Sequence, residues 1–587
     1  MGDYYNAMDK ESHVGITPQQ AGFTTNISQD QLEQLKAKIR MGVSKVELGF
    51  SGTGKSYGEK ISPEAYGKDE RQDIRELAKI NNVELTTHAA FSGGPISGLT
   101  QQGFSESARK EATDEIKRAV DFAADVVEGG PVVTHMGEFQ RPVFAAEGEN
   151  GDERKFIGYG SDKKKDGEYV DANNEVNEAV VSLVNTEDGS LINLRKTMEF
   201  DLPDYEKKNG KIVIKDNIPE LAKLEEGKHM ETEKYSWDRL KKELTNESGG
   251  PATDSDVAKF VYRNNIEEQI SNINYRLGIE KRQMKEYDDL INDRTEHKLS
   301  DKEKGHFRKE LDRSRRAVAS ETGQIQKMER MKENGFDTIE NYGVAKTAKS
   351  MADLGLYARE KQQMIEKQRK TKFDRPLYIA PENIFPEQYG GHPQELKNLV
   401  QEGRKAMASR LEAKGMSPEK AKQEAVDHIK ATFDVGHANT WKRYFQGDDK
   451  DFKKWFMGQV KDLKDNNIIG HVHVSDNFGY HDEHVIPGQG NVPIKDAIEE
   501  LKKDKKIDFI IEAGREGDAA WVRGLKEVSG TPLFGLTRPD STDPWAMAQN
   551  SYFGKTAPPY FIVGAYAQSF GERTSKDFGA WSETSFE

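Results

Sequence analysis

The amino-acid sequence predicts an α/β fold: a TIM (β/α)8 barrel with a large insertion after the fourth strand and a C-terminal extension. Three observations point there. Short apolar runs alternate with amphipathic stretches of helical period, which is the rhythm of a parallel sheet. The runs number eight, the barrel count. From the third onward, each run ends in a histidine or a carboxylate, and the carboxyl ends of barrel strands converge on one mouth.

In chain order, the strands are read at HVGIT from residue 13, KVELGF from 45, VELTTHA from 83 and PVVTHM from 131. Stretches such as ESARKEATDEIKRAVDFAADVV supply the helices between the later ones. The rhythm stops near Glu138 and resumes with PLYIAPEN from 376, TFDVGHA from 432, IIGHVHVSD from 468 and DFIIEAGR from 508. Residues 1–138 and 342–520 are therefore expected to form the barrel in two parts. Residues 139–341 form the insertion, and 521–587 an aromatic-rich extension expected to pack against the barrel.

The first half of the insertion is rich in Gly, Asp and Lys, with short strand-like pieces such as KIVIKD at 211, and reads as an irregular or small β module. The second half is helical. Phe260, Ile266, Ile270, Ile273, Leu277 and Met284 follow helical spacing, NDRTEHKLSD breaks it, and Phe307, Leu311, Val318, Ile325 and Met328 restart it. That pattern predicts an antiparallel helical hairpin over about 255–335. Its charges read as a solvated coiled-coil surface, with a nucleic-acid arm as the alternative. Following the fourth strand, the insertion is expected on the C-terminal face of the barrel, where the hairpin offers a surface for a protein partner.

Composition limits the function. With 587 residues, the chain has room for a barrel of roughly 250 residues and added modules. It is 35% hydrophobic and 32% charged, with a mean hydropathy of -0.85, so part of the length is solvated helix or loop. A formal charge of -14 argues against indiscriminate wrapping of nucleic acid, which depends on Lys and Arg releasing counterions. No apolar run approaches the roughly 20 residues that span a bilayer, and MGDYYNAMDK lacks the pattern of a signal peptide. The expectation is a soluble cytoplasmic protein without a membrane partner. The absence of cysteine leaves His, Asp and Glu to hold any metal.

Those residue types stand where chemistry needs them. His88 ends the third strand, His135 the fourth, Glu382 the fifth, Asp434 the sixth with His437 just beyond, His473 the seventh and Glu512 the eighth. Asp482 and His484 follow on the seventh loop. A single histidine at a strand end is usually a satisfied core or surface residue; a set converging on one mouth is a metal site. His471 and His473 share a strand face, so either can serve as the ligand. Asp476 and Asn383 are candidates to orient ligands, and His481 is expected beside the site or in solvent. Neutral imidazoles favour zinc over magnesium. Four carboxylates against three divalent ions leave a net charge of about +2, which suits a phosphodiester.

At these positions the sequence resembles the endonuclease IV family of abasic-site endonucleases, within the wider xylose-isomerase-like barrels. The matching stretches are HAAF at 88, THMG at 134, PEN at 381, FDVGHA at 433, HVSD at 473, DEH at 482 with PGQG after it, and IEAG at 511. The resemblance covers about 300 residues, nearly all of the barrel, and omits the insertion and the extension. It implies about three zinc ions per chain, with manganese or magnesium as alternatives. His88, His135 and Glu382 would hold one, and Glu382 would bridge to a second taken by Asp434, His473 and Glu512. His437, Asp482 and His484 would hold the third. The implied reaction is hydrolysis of the phosphodiester 5′ of an abasic site in DNA, with Glu382 and Glu512 in catalytic roles. Lys55 and Tyr57 would contact the DNA backbone, and Phe91 would act as a wedge. Ser92, Gly93 and Gly94 lack the bulk the family places after it.

Two rival readings stand beside this one. GFSGTGKS, from Gly49 to Ser56, satisfies the P-loop spacing, but Gly58 and Pro63 follow where a helix must start to cradle phosphate. A metal-dependent sugar isomerase or epimerase of the xylose-isomerase-like superfamily, acting on a small sugar or sugar phosphate, would need only Glu382, Asp434, His473 and Glu512. It leaves His88, His135, His437, Asp482 and His484 without a task. An inactive barrel that recruits a partner through the hairpin is a third reading, which the intact ligand set opposes.

Overall fold

The computed structural model describes residues 21–512, apart from residues 41, 53–59, 91–93, 140–155, 157–162, 166–167, 171–178, 204–209, 214–231, 246–249, 293, 295–298, 486 and 504–506. The chain divides into two compact units, Met1–Ile96 with Lys110–Glu138 and Thr347–Glu587, and Ser97–Arg109 with Phe139–Lys346. The extension expected over 521–587 lies outside the described residues. Among the described residues, no helix is long and apolar enough to cross a membrane.

The first unit is a closed parallel barrel of β1 (Ala21–Thr24), β2 (Lys45–Gly49), β3 (Glu84–His88), β4 (Gly130–Met136), β5 (Leu377–Asn383), β6 (Ala431–Asp434), β7 (Ile469–Val474) and β8 (Asp508–Ile511). Neighbours in sequence are neighbours in the sheet, and β8 closes on β1 through Ala21↔Phe509 and Gly22↔Ile510. This corrects the first strand: AGFT forms it, whereas HVGIT lies outside the described residues. AGFT is short and has one large apolar side chain, too little for a periodic signal. Its Gly22 answers a packing demand, since a β-carbon there would stand 2.8 Å from the β-carbon of Lys45.

The outward faces of the strands are apolar and lie under helices. Helix α1 spans Gln31–Arg40, α2 Lys68–Ile80, α3 Glu106–Val126, α4 Ile339–Arg369, α5 Pro393–Ala413, α6 Pro418–His428, α7 Asp449–Asp465 and α8 Ile494–Leu501. In α7, Phe452, Trp455, Phe456, Val460 and Leu463 are buried at helical spacing. Phe122 of α3 meets Phe50, just after β2, edge to face at 5.0 Å. Each such side chain contributes about 1.5–3 kcal/mol by leaving water.

The inward faces differ. Barrel interiors are ordinarily filled by branched apolar side chains, yet here Lys45, Glu47, Thr86, His471, His473 and Asp508 are all buried. Lys45 Nζ donates to Asp508 Oδ1 at 2.5 Å, and Arg375 pairs with the same carboxylate. Buried charges are tolerable only when paired in this way.

The second unit has its own core. Strand Val180–Asn185 pairs antiparallel with Leu191–Arg195 on one side and Phe336–Thr338 on the other, and Glu199–Pro203 pairs with Thr232–Ser236. Leu183, Leu202, Tyr235, Trp237, Leu240 and Val261 are buried together here. Two helices, Asp254–Ile291 and Asp301–Asn334, form the hairpin. Each starts with a reciprocal cap, Thr253 with Asp256 and Ser300 with Glu303, in which hydroxyl and carboxylate satisfy each other's backbone amides. The seam joins Ile266, Ile270, Ile273 and Leu277 to Ile325. Phe260 instead belongs to the core with Trp237.

Candidate metal centre

Register brings the donor residues together. The β4–β5 pairing sets His135 opposite Glu382, and the β6–β7 pairing sets Asp434 opposite His473. His88 ends β3, and Glu512 follows β8 with its amide bonded to Val474 O at 3.1 Å. After β6 the chain turns at once into a short helix, Val435–Asn439, capped by Asp434, whose Oδ1 accepts the His437 amide at 2.7 Å. Gly436 is required in this turn because a β-carbon would collide with Ser475 Oγ. Asn383 locks the turn: its Oδ1 accepts the Asp434 amide at 3.0 Å, and its backbone carbonyl faces His437 Nδ1 at 2.7 Å.

The loop after β7 is tied from inside. Buried Asp476 accepts the backbone amides of Asn477, Gly488, Gly490 and Val492 at 2.8 to 3.1 Å. Its hydrogen bonds therefore hold backbone of the loop that carries Asp482 and His484. His484 sits at φ 46°, a left-handed backbone costly for a residue with a β-carbon, and its Nε2 lies 2.6 Å from Asp482 Oδ2.

The side chains fall into groups whose donor atoms all lie within 4.8 Å of one another: His88, His135 and Glu382; Glu382, Asp434, His473 and Glu512; and His437, Asp482 and His484. Glu382 Oε2 stands 3.5 Å from both His88 Nε2 and His135 Nε2. Glu382 Oε1 is 2.7 Å from His473 Nδ1, which is also 3.0 Å from Glu512 Oε2. His437 Nε2 is 3.1 Å from Asp482 Oδ2. Of the two candidates on β7, His473 joins the four-residue group, while His471 Nε2 faces Glu47 at 3.5 Å. His481 is exposed.

The field in the site is strong. Burial opposes charge on His437, but the Asp434 carboxylate and the hydrogen bond to Asp482 push its pKa well above the usual imidazole value. Burial also opposes charge on His484, which the Asp482 hydrogen bond nevertheless pushes up to about 9. Against its own desolvation, Glu512 is held at about 2 by the charge on His473. Loss of solvation pushes His135 down to about 3, which keeps it in the neutral, ligating form.

The donor set fits divalent cations. Glu382 Oε2 and Asp482 Oδ1 are buried carboxylate oxygens with no hydrogen-bond partner among the described residues, an arrangement that costs several kcal/mol unless a cation takes the lone pairs. Neutral imidazole and carboxylate without thiolate match zinc chemistry and admit manganese. The remaining expected contacts, Lys55, Tyr57 and Phe91, lie outside the described residues, as does the second half of the P-loop-like segment, residues 53–56. Glu47 was not anticipated. It is buried on β2, and its Oε1 lies 3.0 Å from His473 Nε2. The available signal was a carboxylate at an inward position of KVELGF, in register with Lys45 and Gly49.

No family model matches the chain. An uncharacterized protein of Methanocaldococcus jannaschii, MJ1311, is 36% identical over 94 residues, which are 15% of this chain and 28% of that protein's length. Among solved structures, a D-tagatose 3-epimerase-like protein is 14% identical, covering 87% of this chain and 98% of its own, with a TM-score of 0.34. A D-psicose 3-epimerase from Clostridium cellulolyticum H10 is 8% identical, covering 88% and 93%, with a TM-score of 0.33. Similarity at this level says nothing of activity; the barrel itself rests on the closed ring of eight parallel strands.

Proposed function

We propose that the chain is a divalent-metal-dependent hydrolase of phosphodiesters, with abasic DNA as its substrate. The observation that supports this reading is the overlap of two donor groups through Glu382, which offers one oxygen to His88 and His135 and the other to the group with His473, with a third group, His437, Asp482 and His484, in the same barrel unit. When bound, metals in such groups supply Lewis acidity and lower the pKa of water near a phosphoester. The chain's own residues prepare the site. Asn383 holds Asp434 and His437 in register, Asp476 fixes the loop bearing Asp482 and His484, and the ionised Asp482 carboxylate draws His437 and His484 together.

A second reading is a metal-dependent sugar isomerase or epimerase. It is favoured by the self-sufficiency of Glu382, Asp434, His473 and Glu512, in which two glutamates flank one imidazole and can exchange protons with a substrate. It is also the activity named for the solved structures above, although similarity at that level adds no weight.

The test uses Asp482→Asn and His484→Ala. Under the phosphodiesterase reading, incision of an abasic duplex falls at least ~100-fold, the usual loss when one preorganised electrostatic stabiliser goes, while the protein stays folded and the four-residue group keeps its metal. Wild-type protein that leaves abasic DNA intact under zinc-replete conditions yet interconverts a ketose would move the assignment to the second reading.

A further inference from the structure

His473 is buried with both ring nitrogens engaged. Its Nδ1 faces Glu382 Oε1 at 2.7 Å and Glu512 Oε2 at 3.0 Å, in the group that fits a cation. Its Nε2 faces Glu47 Oε1 at 3.0 Å from the other side. A neutral imidazole carries one proton, so only one nitrogen donates. The nitrogen turned toward a metal must keep its lone pair, which leaves Nε2 as the donor and Glu47 as the acceptor.

Glu47 is itself fixed. The β2–β3 register sets it opposite Thr86, whose hydroxyl donates to Glu47 Oε2 at 3.2 Å. His471 Nε2 stands 3.5 Å from the same oxygen, and its Nδ1 lies 3.2 Å from Thr432 Oγ1. Four strands thus contribute to a polar layer directly beneath the donor residues.

We propose that Glu47 is a positioning residue: it accepts the Nε2–H of His473, fixing the tautomer and ring plane that turn Nδ1 toward the cation. The inference rests on the metal-centre reading above and adds a residue to it. Glu47, His471 and His473 could also be read as ligands of a further ion. That would need lone pairs on both nitrogens of His473, hence loss of its remaining proton, whereas an accepted hydrogen bond needs none.

The experiment compares wild type, Glu47→Gln and Glu47→Leu as full-length proteins, titrated with zinc and with cobalt(II) against a competing chelator. The melting temperature of each metal-free protein is measured in parallel. The Leu variant should lose about 10- to 100-fold in affinity at one site, the usual consequence of removing a carboxylate behind a ligating histidine. The Gln variant keeps an acceptor without its charge and should fall between the other two. It also preserves the side-chain shape, so the comparison survives if the Leu variant fails to fold. The total number of ions bound, and the form of the cobalt absorption bands, should be unchanged in the Gln variant. Unchanged affinity with a lowered melting temperature would make Glu47 structural filling and overturn the proposal. A drop of one ion per chain, with the rest bound as before, would make Glu47 a ligand and overturn it too. Wild type that binds no divalent ion would sink the metal-centre reading itself, a result read before any variant is made.

Discussion

The barrel's interior and the inserted unit's core are both buried, and they are built of opposite materials. In the inserted unit, Leu183, Leu202, Tyr235, Trp237 and Val261 pack on one another, and the few buried polar groups serve that packing. Trp237 Nε1 donates to Asp254 Oδ1 at 2.8 Å, and the same carboxylate pairs with Lys196 and Lys241. Inside the barrel, imidazoles and carboxylates take the place of branched side chains. Stability there comes from the outward faces of the strands, which frees the inner faces for chemistry. Among the described residues, all four clusters able to hold a cation lie in the barrel unit. Burial alone therefore does not mark a functional region; burial of ionisable groups that share too few protons does.

The largest effect expected from this contrast is at Glu382. Its two oxygens serve two donor groups, so Glu382→Gln should strip metal from both and lower turnover by at least ~100-fold. Elemental analysis beside an activity assay checks this; retention of the wild-type metal content would break the contrast at its centre. Next is Trp237→Ala, which should cost the inserted unit about 3–5 kcal/mol, the usual loss for a fully buried aromatic. Denaturant unfolding read alongside metal affinity tests it. If affinity in the folded protein falls in parallel, the two regions are not energetically independent.

The smallest effect lies on the barrel's outside. Glu424 is held at about 2, against an ordinary 4.5, by His428 and then, over its own desolvation, by Arg359, whose Nε stands 2.6 Å away. A carboxyl whose folded pKa is depressed stabilises the protein above its unfolded pKa and loses that contribution as pH falls through the folded value. The contribution should fade between about pH 4.5 and 2. Glu424→Gln should flatten the stability curve in that window and leave neutral pH nearly unchanged, since the pair is partly in water and screened. An unaltered acid limb would show that the pair contributes nothing.

The barrel was legible because seven of its strands are apolar runs with punctuated ends, and the hairpin because its spacing is helical and NDRTEHKLSD interrupts it. Seven of the nine donor residues stand at or just beyond strand ends in the sequence, and Asp482 and His484 follow on the seventh loop, so their convergence was legible from position. AGFT was not, having too few apolar side chains to reveal a period. Glu47 was overlooked for another reason. A lone carboxylate in a buried strand gives no hint of a partner, and His473, which explains it, lies across the barrel and far along the chain. Asp476, a candidate to orient ligands, accepts backbone amides of the loop that carries Asp482 and His484, a role that sequence proximity alone does not reveal.

The pairing of β4 with β5, from Gly130↔Leu377 to Met136↔Asn383, spans the whole inserted unit. Such a contact is slow to find in a loose chain, because closing a longer loop costs more entropy. The inserted unit brings its own ends together, for Phe139 packs against Gly343. Once that unit has folded, the search that joins His135 to Glu382 is over a much shorter effective tether. During synthesis the unit is also complete before β5 emerges, so the order of translation and the order of assembly agree. On this view, a slowly folding variant of the inserted unit would delay the appearance of metal binding without altering its final affinity.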